Sequence, residues 1–117
     1  MSAAIPMAPV LNRRLVLESS ERVPDGAGGG GLDWLELGVL WGAITPRAGR
    51  ELERGGRQGS RVSHRILVRA APVGASTRPR ADQRFRENGR TFRIRAVTEA
   101  DARGRFLTCW ADEETSA

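Results

Sequence analysis

Residues 83–97 read Gln-Arg-Phe-Arg-Glu-Asn-Gly-Arg-Thr-Phe-Arg-Ile-Arg-Ala-Val, QRFRENGRTFRIRAV. Asn88-Gly89 lies between two runs that alternate apolar and polar residues, and this dipeptide is the preferred centre of a type I′ hairpin turn. A two-residue turn there pairs Glu87 with Arg90, Phe85 with Phe92 and Asp82 with Arg95. One pair is aromatic and two are oppositely charged, the combinations that stabilise facing positions on neighbouring strands. The second strand continues through Ile94 to Val97. This stretch therefore reads as an antiparallel hairpin.

The flanking segments extend the pattern. Ser60–Ala70 (SRVSHRILVRA) alternates cleanly, with Val62, His64, Ile66, Val68 and Ala70 on one side and Arg61, Ser63, Arg65, Leu67 and Arg69 on the other. Asp33–Pro46 (DWLELGVLWGAITP) reads as a long, bent strand. Gly38 and Gly42 oppose a helix there, and Pro46 ends the strand. At period two, Leu35, Leu37, Val39, Trp41 and Ala43 share one face, and Trp34, Leu40 and Ile44 the other. Trp34 and Trp41, seven residues apart, then point to opposite faces, one to the core and the other to an interface, where tryptophan is a frequent anchor. Asn12–Glu18 reads as a further strand. Residues 19–31 end in a glycine run that is expected to form a flexible loop. At the far end, Phe106, Thr108 and Trp110 alternate with Leu107, Cys109 and Ala111. The expected fold is all-β, a small barrel or sandwich of about six antiparallel strands, with a long loop or short helix at 47–60. Residues 1–10 form an N-terminal arm, 11–114 one domain, and 115–117 a disordered tail.

The chain has 117 residues and a formal net charge of +5, with all 19 basic residues arginine. Residues 61–105 hold 12 arginines against Asp82, Glu87, Glu99 and Asp101, whereas Asp112, Glu113 and Glu114 make the tail acidic. Such polarity suits head-to-tail stacking or a basic face on nucleic acid. The single Cys109 permits no intramolecular disulfide and no cysteine-based metal site, so it reads as a small buried hydrophobe. The N-terminus lacks the basic region of a signal peptide and no apolar run reaches membrane-spanning length, which leaves a soluble intracellular protein as the expectation. His64 is the only histidine and sits on the apolar face of its strand, so a structural role is expected. No nucleophile–base spacing and no metal-ligand cluster is present, and the glycine run is not a phosphate loop. An enzyme is not expected, nor a cofactor. Arg86, Arg90, Arg93, Arg95, Arg103 and Arg105 crowd the C-terminal strands beside Phe85, Phe92 and Phe106. These phenylalanines read as core rather than as stacking platforms for bases, while some arginines stay open to phosphate contact.

The order of four motifs resembles the head-closure, or stopper, proteins of the phage head–tail joining family. They are VLWGAITPRAGRE (Val39–Glu51), HRILVR (His64–Arg69), QRFRENGRTFRIRAV (Gln83–Val97) and FLTCWADEE (Phe106–Glu114). The matching positions are Trp41, Gly42, Pro46, Gly49 and Glu51, then Ile66, Val68 and Arg69, then Arg84, Phe92 and Ile94, then Leu107 and Cys109. PVLNRRLVLES (Pro9–Ser19), APVGAS (Ala71–Ser76) and the lysine-free composition resemble the version in gene transfer agents, phage-derived particles that package host DNA. One departure is the loop 71–81, where family members often carry an Arg-Tyr-rich segment.

The resemblance implies a β-barrel subunit of a ring, of six copies, in a phage-like particle assembled in the bacterial cytoplasm. The ring would sit at the head–tail junction, between the portal and adaptor on the head side and the tail terminator on the tail side. Double-stranded DNA would pass non-specifically through its lumen, and no membrane is involved. In such proteins the connection between the second and third strands projects toward the channel. Here that connection is 47–60, which places Arg47, Arg50, Arg54 and Arg57 toward the lumen and leaves Glu51 and Glu53 for a neighbour's arginines. The competing reading is a stand-alone nucleic-acid-binding barrel.

Overall fold

In a computed structural model, the chain is described over residues 9–24, 26, 30–46 and 61–114, with the backbone alone for Arg61 and Val62. The expected arm 1–10 is described only from Pro9. The tail 115–117 and the connection 47–60, with its loop-or-helix alternative, lie outside the described residues. Six strands run in the order β1 Arg13–Pro24, β2 Gly30–Pro46, β3 Arg61–Arg69, β4 Arg84–Glu87, β5 Arg90–Glu99 and β6 Phe106–Glu114. All neighbours pair antiparallel, and they close into a barrel in the order β1-β2-β3-β6-β5-β4. Closure comes from β1, whose residues Val16–Glu18 also pair with Arg84–Arg86 of β4.

The interior is filled by the inward positions of every strand. Leu15, Leu17, Leu40, Ile66, Val68, Phe85, Phe92, Ile94, Leu107, Cys109 and Ala111 form one buried cluster. Burying this set supplies the main stabilisation, about 1.5–3 kcal/mol for each large side chain. The alternation read for β3 and β6 holds, and Phe85 and Phe92 are core as expected. Phe106 is also buried, but on the outer side of β6, beneath the Arg69 guanidinium at 5.4 Å.

The β4–β5 hairpin has the expected two-residue turn and pairs Glu87 with Arg90 and Phe85 with Phe92. Its type differs from expectation: Asn88 takes a positive φ of 55°, but Gly89 does not share the left-handed conformation that a type I′ turn requires. The third expected pair, Asp82 with Arg95, does not form. The Asp82 amide bonds to the Ile94 carbonyl instead, and Asp82 takes φ 75°. A bulge between Ile94 and Ala96 lifts Arg95 out of register, and its guanidinium meets Asp112 of β6 at 3.2 Å. On the β4 side, Asp82 and Gln83 both bond to Ile94, so two residues stand against one, and pairings beyond such an irregularity cannot be counted from the turn.

A second bulge changes β2. Leu17 pairs with Gly38 and Glu18 with Glu36, leaving Leu37 as the extra residue. The parity of the strand inverts there. Trp41 lies opposite Arg14 and Trp34 opposite Ser20, an even spacing on β1, so both tryptophans share the outer face. The expectation of opposite faces, with one tryptophan in the core, is overturned. Trp34 is half-buried and Trp41 exposed. Gly42 marks the closest approach in the barrel wall, since a Cβ there would lie 2.9 Å from the Leu67 carbonyl oxygen.

The glycine run 26–31, expected to be a flexible loop, is paired at Gly30 and Gly31, and its residues 27–29 lie outside the described residues. β1 continues to Pro24 and β2 begins at Gly30, with pairs from Ser19–Leu35 to Pro24–Gly30. Ladder hydrogen bonds hold Gly30 and Gly31 despite their backbone entropy. β2 pairs with β3 only from Gly42 to Pro46, and β4 meets β1 only at Val16–Glu18. The distal hairpin is therefore a two-stranded ribbon projecting beyond the barrel.

Candidate interaction surfaces and the barrel mouth

Two charged assemblies stand out, one at the barrel mouth and one on the outer wall. The first closes the barrel mouth where β2 ends and β3 begins. Glu87 accepts two hydrogen bonds from Arg13, at 2.6 and 2.7 Å, a bidentate pair between β1 and β4. Arg90 donates to both oxygens of Glu113, at 2.8 and 3.0 Å, joining β5 to β6. Arg90 also lies 3.7 Å from Glu87, which links the two pairs. These residues continue the inward faces of their strands, so ions cap the apolar core where the barrel opens. The hydrogen bonds from Arg13 hold the Glu87 carboxyl below the usual carboxylate range, and those from Arg90 do the same for Glu113.

His64 lies beneath this mouth. It is buried, packs edge-on against Phe92 at 5.3 Å, and places Nε2 3.7 Å from Glu113. The histidine is thus a core packing residue beside an ion pair, as its position on the apolar face of the strand suggested.

The second assembly covers the outer wall where the ribbon leaves the barrel. The Glu18 carboxylate is buried and accepts hydrogen bonds from Arg84 at 2.7 Å and Arg86 at 2.9 Å. Burial alone would raise its pKa; the bonds from Arg84 and Arg86 outweigh that and hold it below the ordinary value. Arg86 also reaches Glu36 at 3.3 Å. The Arg84 guanidinium stacks 4.0 Å from the Trp34 ring centroid, and Arg93 lies 5.4 Å from the same ring. Trp34 is thus seated on cations, an arrangement favoured by the negative face of the indole.

This arrangement corrects the reading of the charged strands. Arg86, Arg90, Arg93, Arg95 and Arg105 each lie within 4 Å of a carboxylate of the same chain. They do not form a free basic face. Likewise Asp112, Glu113 and Glu114 are part of β6 and meet Arg95, Arg90 and Arg93. With Arg84, six of the twelve arginines of 61–105 are thus paired with carboxylates within the fold, while Arg65 and Arg69 lie over the rings of Trp110 and Phe106.

The remaining motif residues divide by role. Phe92, Ile94 and Cys109 are core, and burial pushes the Cys109 thiol up to about 12, which leaves it unreactive at neutral pH. Arg84 belongs to the Glu18 assembly, Arg69 covers Phe106, and Pro46 ends β2 at the mouth. Trp41 is exposed beside a cleft of about 440 Å³ lined by Leu11, Val39, Arg69 and Thr77. Arg47, Arg50, Arg54, Arg57 and Glu51 lie outside the described residues. Glu18, Arg13 and Glu87 were missed as site residues. The sequence holds their charges, but nothing local says that residues 66 or 74 positions apart will meet.

A small closed barrel with a solid core, its charges committed to holding strands together, is a building block whose working parts are its surfaces. The chain belongs to the phage head completion protein family, whose model matches residues 6–114, and its role is structural, in a phage-type head. It is similar to a chain in the virion of a native gene transfer agent particle, with 50% identity, a TM-score of 0.76, and coverage of 94% of this chain and all of that one. It is also similar in fold to protein SF1141 from Shigella flexneri 2a, at 18% identity and a TM-score of 0.65, over 92% of this chain and 96% of that one. No curated protein sequence matches the chain.

Proposed function

We propose that the chain is a stopper-ring subunit, which joins the portal and adaptor of a DNA-filled phage-like head to the tail terminator and lets DNA pass through the ring. The observation that carries this reading is its full-length likeness, at 50% identity, to a chain of a gene transfer agent virion. Particle assembly then takes place in the bacterial cytoplasm, and the copies form a ring of six.

The packing supports a channel between copies rather than through one barrel. The interior of the barrel is filled by Phe85, Phe92 and Ile94, and its mouth is capped by the Arg13–Glu87 and Arg90–Glu113 pairs. The connection 47–60 leaves from Pro46 and returns at Arg61, both at this mouth. Its four arginines against two glutamates offer positive charge that the described arginines of β4–β6 largely do not, because those are paired. Arg47, Arg50, Arg54 and Arg57 would face the lumen and offset phosphate repulsion without reading sequence.

Electron microscopy of intact particles tests the placement, and reversal of the four arginines to glutamate tests the lining. The expected result is a ring at the head–tail junction in both, with DNA retention or delivery impaired only in the variant. Density for the chain elsewhere in the particle would refute the junction role. A variant that delivers DNA normally would refute the lining.

A further inference from the structure

The ribbon formed by Ser19–Pro24 and Gly30–Leu37 has no partner strand on either edge among the described residues. Two-stranded ribbons are marginal by themselves and gain stability by packing. On one face, the continuation of the barrel's inward side, the exposed side chains are Leu35, Glu21, Asp33 and Val23. Leu35 is 47% exposed, and Glu21 lies directly across from Asp33. Two carboxylates facing each other across strands destabilise the pair. Neither has a cationic partner among the described residues, so the acidic pair is framed by apolar groups and uncompensated.

The opposite face of the same hairpin, nearer the barrel, carries the complement. Trp41 (51% exposed) and Val39 are apolar, Arg14 is exposed directly across from Trp41, and Arg69 lines the cleft beside it. Arg14 has no carboxylate partner among the described residues.

We infer that the ribbon docks on a second copy of this chain, laying Leu35 and Val23 on Trp41 and Val39 with Glu21 and Asp33 against Arg14 and Arg69. Charge complementarity selects this occupant. Either patch laid on its own copy would set acid on acid or arginine on arginine, whereas ribbon-on-cleft matches unlike charges. The two patches lie on opposite faces of one hairpin, so the contact is heterologous and repeats from copy to copy. Repetition of a heterologous contact closes a ring when the rotation allows. The inference rests on the ring reading and names the surface that would build it.

Cross-linking tests the contact. Asp33→Cys and Arg14→Cys are exposed positions, and the buried native Cys109 does not compete for reagent. A short bismaleimide should join chains when the two variants are mixed, both in particles and in the concentrated free protein. The doubly substituted chain should give a ladder, and neither single variant should link to itself. Glu21→Arg with Asp33→Arg should weaken self-association about tenfold or more, and Arg14→Glu with Arg69→Glu in the partner should restore it. A mixed sample without product, or equal product from Asp33→Cys alone, would overturn the docking. If that happens while microscopy still finds the ring at the junction, only this surface is wrong. A chain absent from the junction would instead refute the ring reading, whatever the cross-links show.

Discussion

Glu18→Gln would remove the negative charge that gathers Arg84 and Arg86 on the outer wall. The carboxylate side chain is 4% exposed, and it accepts from Arg84 at 2.7 Å and Arg86 at 2.9 Å. A hydrogen bond to a charged group contributes about 1.5–3 kcal/mol net. Arg84, 21% exposed and packed on Trp34, should lose a figure in that range. Arg86 is 38% exposed and keeps Glu36, so solvent screening reduces its share to about 0.5–1 kcal/mol. Glutamine retains one acceptor oxygen, which returns part of the loss but turns an amide donor toward an arginine. The expected cost is about 2–3 kcal/mol at pH 7, a fall in Tm on the order of 10–20 °C for a chain of this size.

Urea unfolding followed by tryptophan fluorescence measures it, because Trp34 loses its guanidinium neighbours on unfolding. The pH dependence supplies a second reading. The folded Glu18 carboxyl titrates below its usual 4.5, despite burial, because of the two arginines. Its stabilisation is therefore complete above the unfolded value and is lost as pH falls through the lower folded one. The gap between wild type and variant should be constant from pH 7 to about 5 and shrink below about 4.5. A cost under about 0.5 kcal/mol at pH 7, or a gap that persists unchanged into acid, would refute the role given to this cluster.

Gly42→Ala should destabilise by about 1–3 kcal/mol in the same urea assay, since its Cβ meets a backbone carbonyl that cannot turn aside. A neutral result would mean that the barrel wall yields there. Phe92→Ala should cost about 3–5 kcal/mol, because the ring is fully buried and supports His64; calorimetry checks this. Cys109 should resist maleimide at pH 8 in the folded chain and react stoichiometrically in denaturant, as a thiol pushed to about 12 by burial requires. Rapid labelling under native conditions would show that β6 opens.

The strands were legible because alternation is a local property. Val62 to Ala70, Phe106 to Ala111 and the Asn88-Gly89 turn each carry their pattern within a few residues, and the core set followed from it. Register near the turn was legible too, since two residues leave little freedom. Errors began at the bulges. One extra residue at Leu37 moved Trp34 onto the face of Trp41; Asp82 and Gln83 both took Ile94 as partner, and the bulge at Arg95 turned that arginine to Asp112. At the end of the glycine run expected to be a loop, Gly30 and Gly31 proved paired because inter-strand hydrogen bonds overrode the weak propensity of glycine.

The sequence by itself thus determined an all-β chain, the location of its strands though not the full extent of β1 and β2, the inward residues of β3 to β6 and, through the order of its motifs, the family. Those depend on spacing along the chain. The tertiary structure alone decided which carboxylate each arginine of β4 and β5 meets, and hence that these arginines are paired rather than free. It also decided that β1 and β2 outrun the barrel as a ribbon with unlike faces. Such contacts join residues far apart in the chain, and their geometry exists only once the barrel has closed.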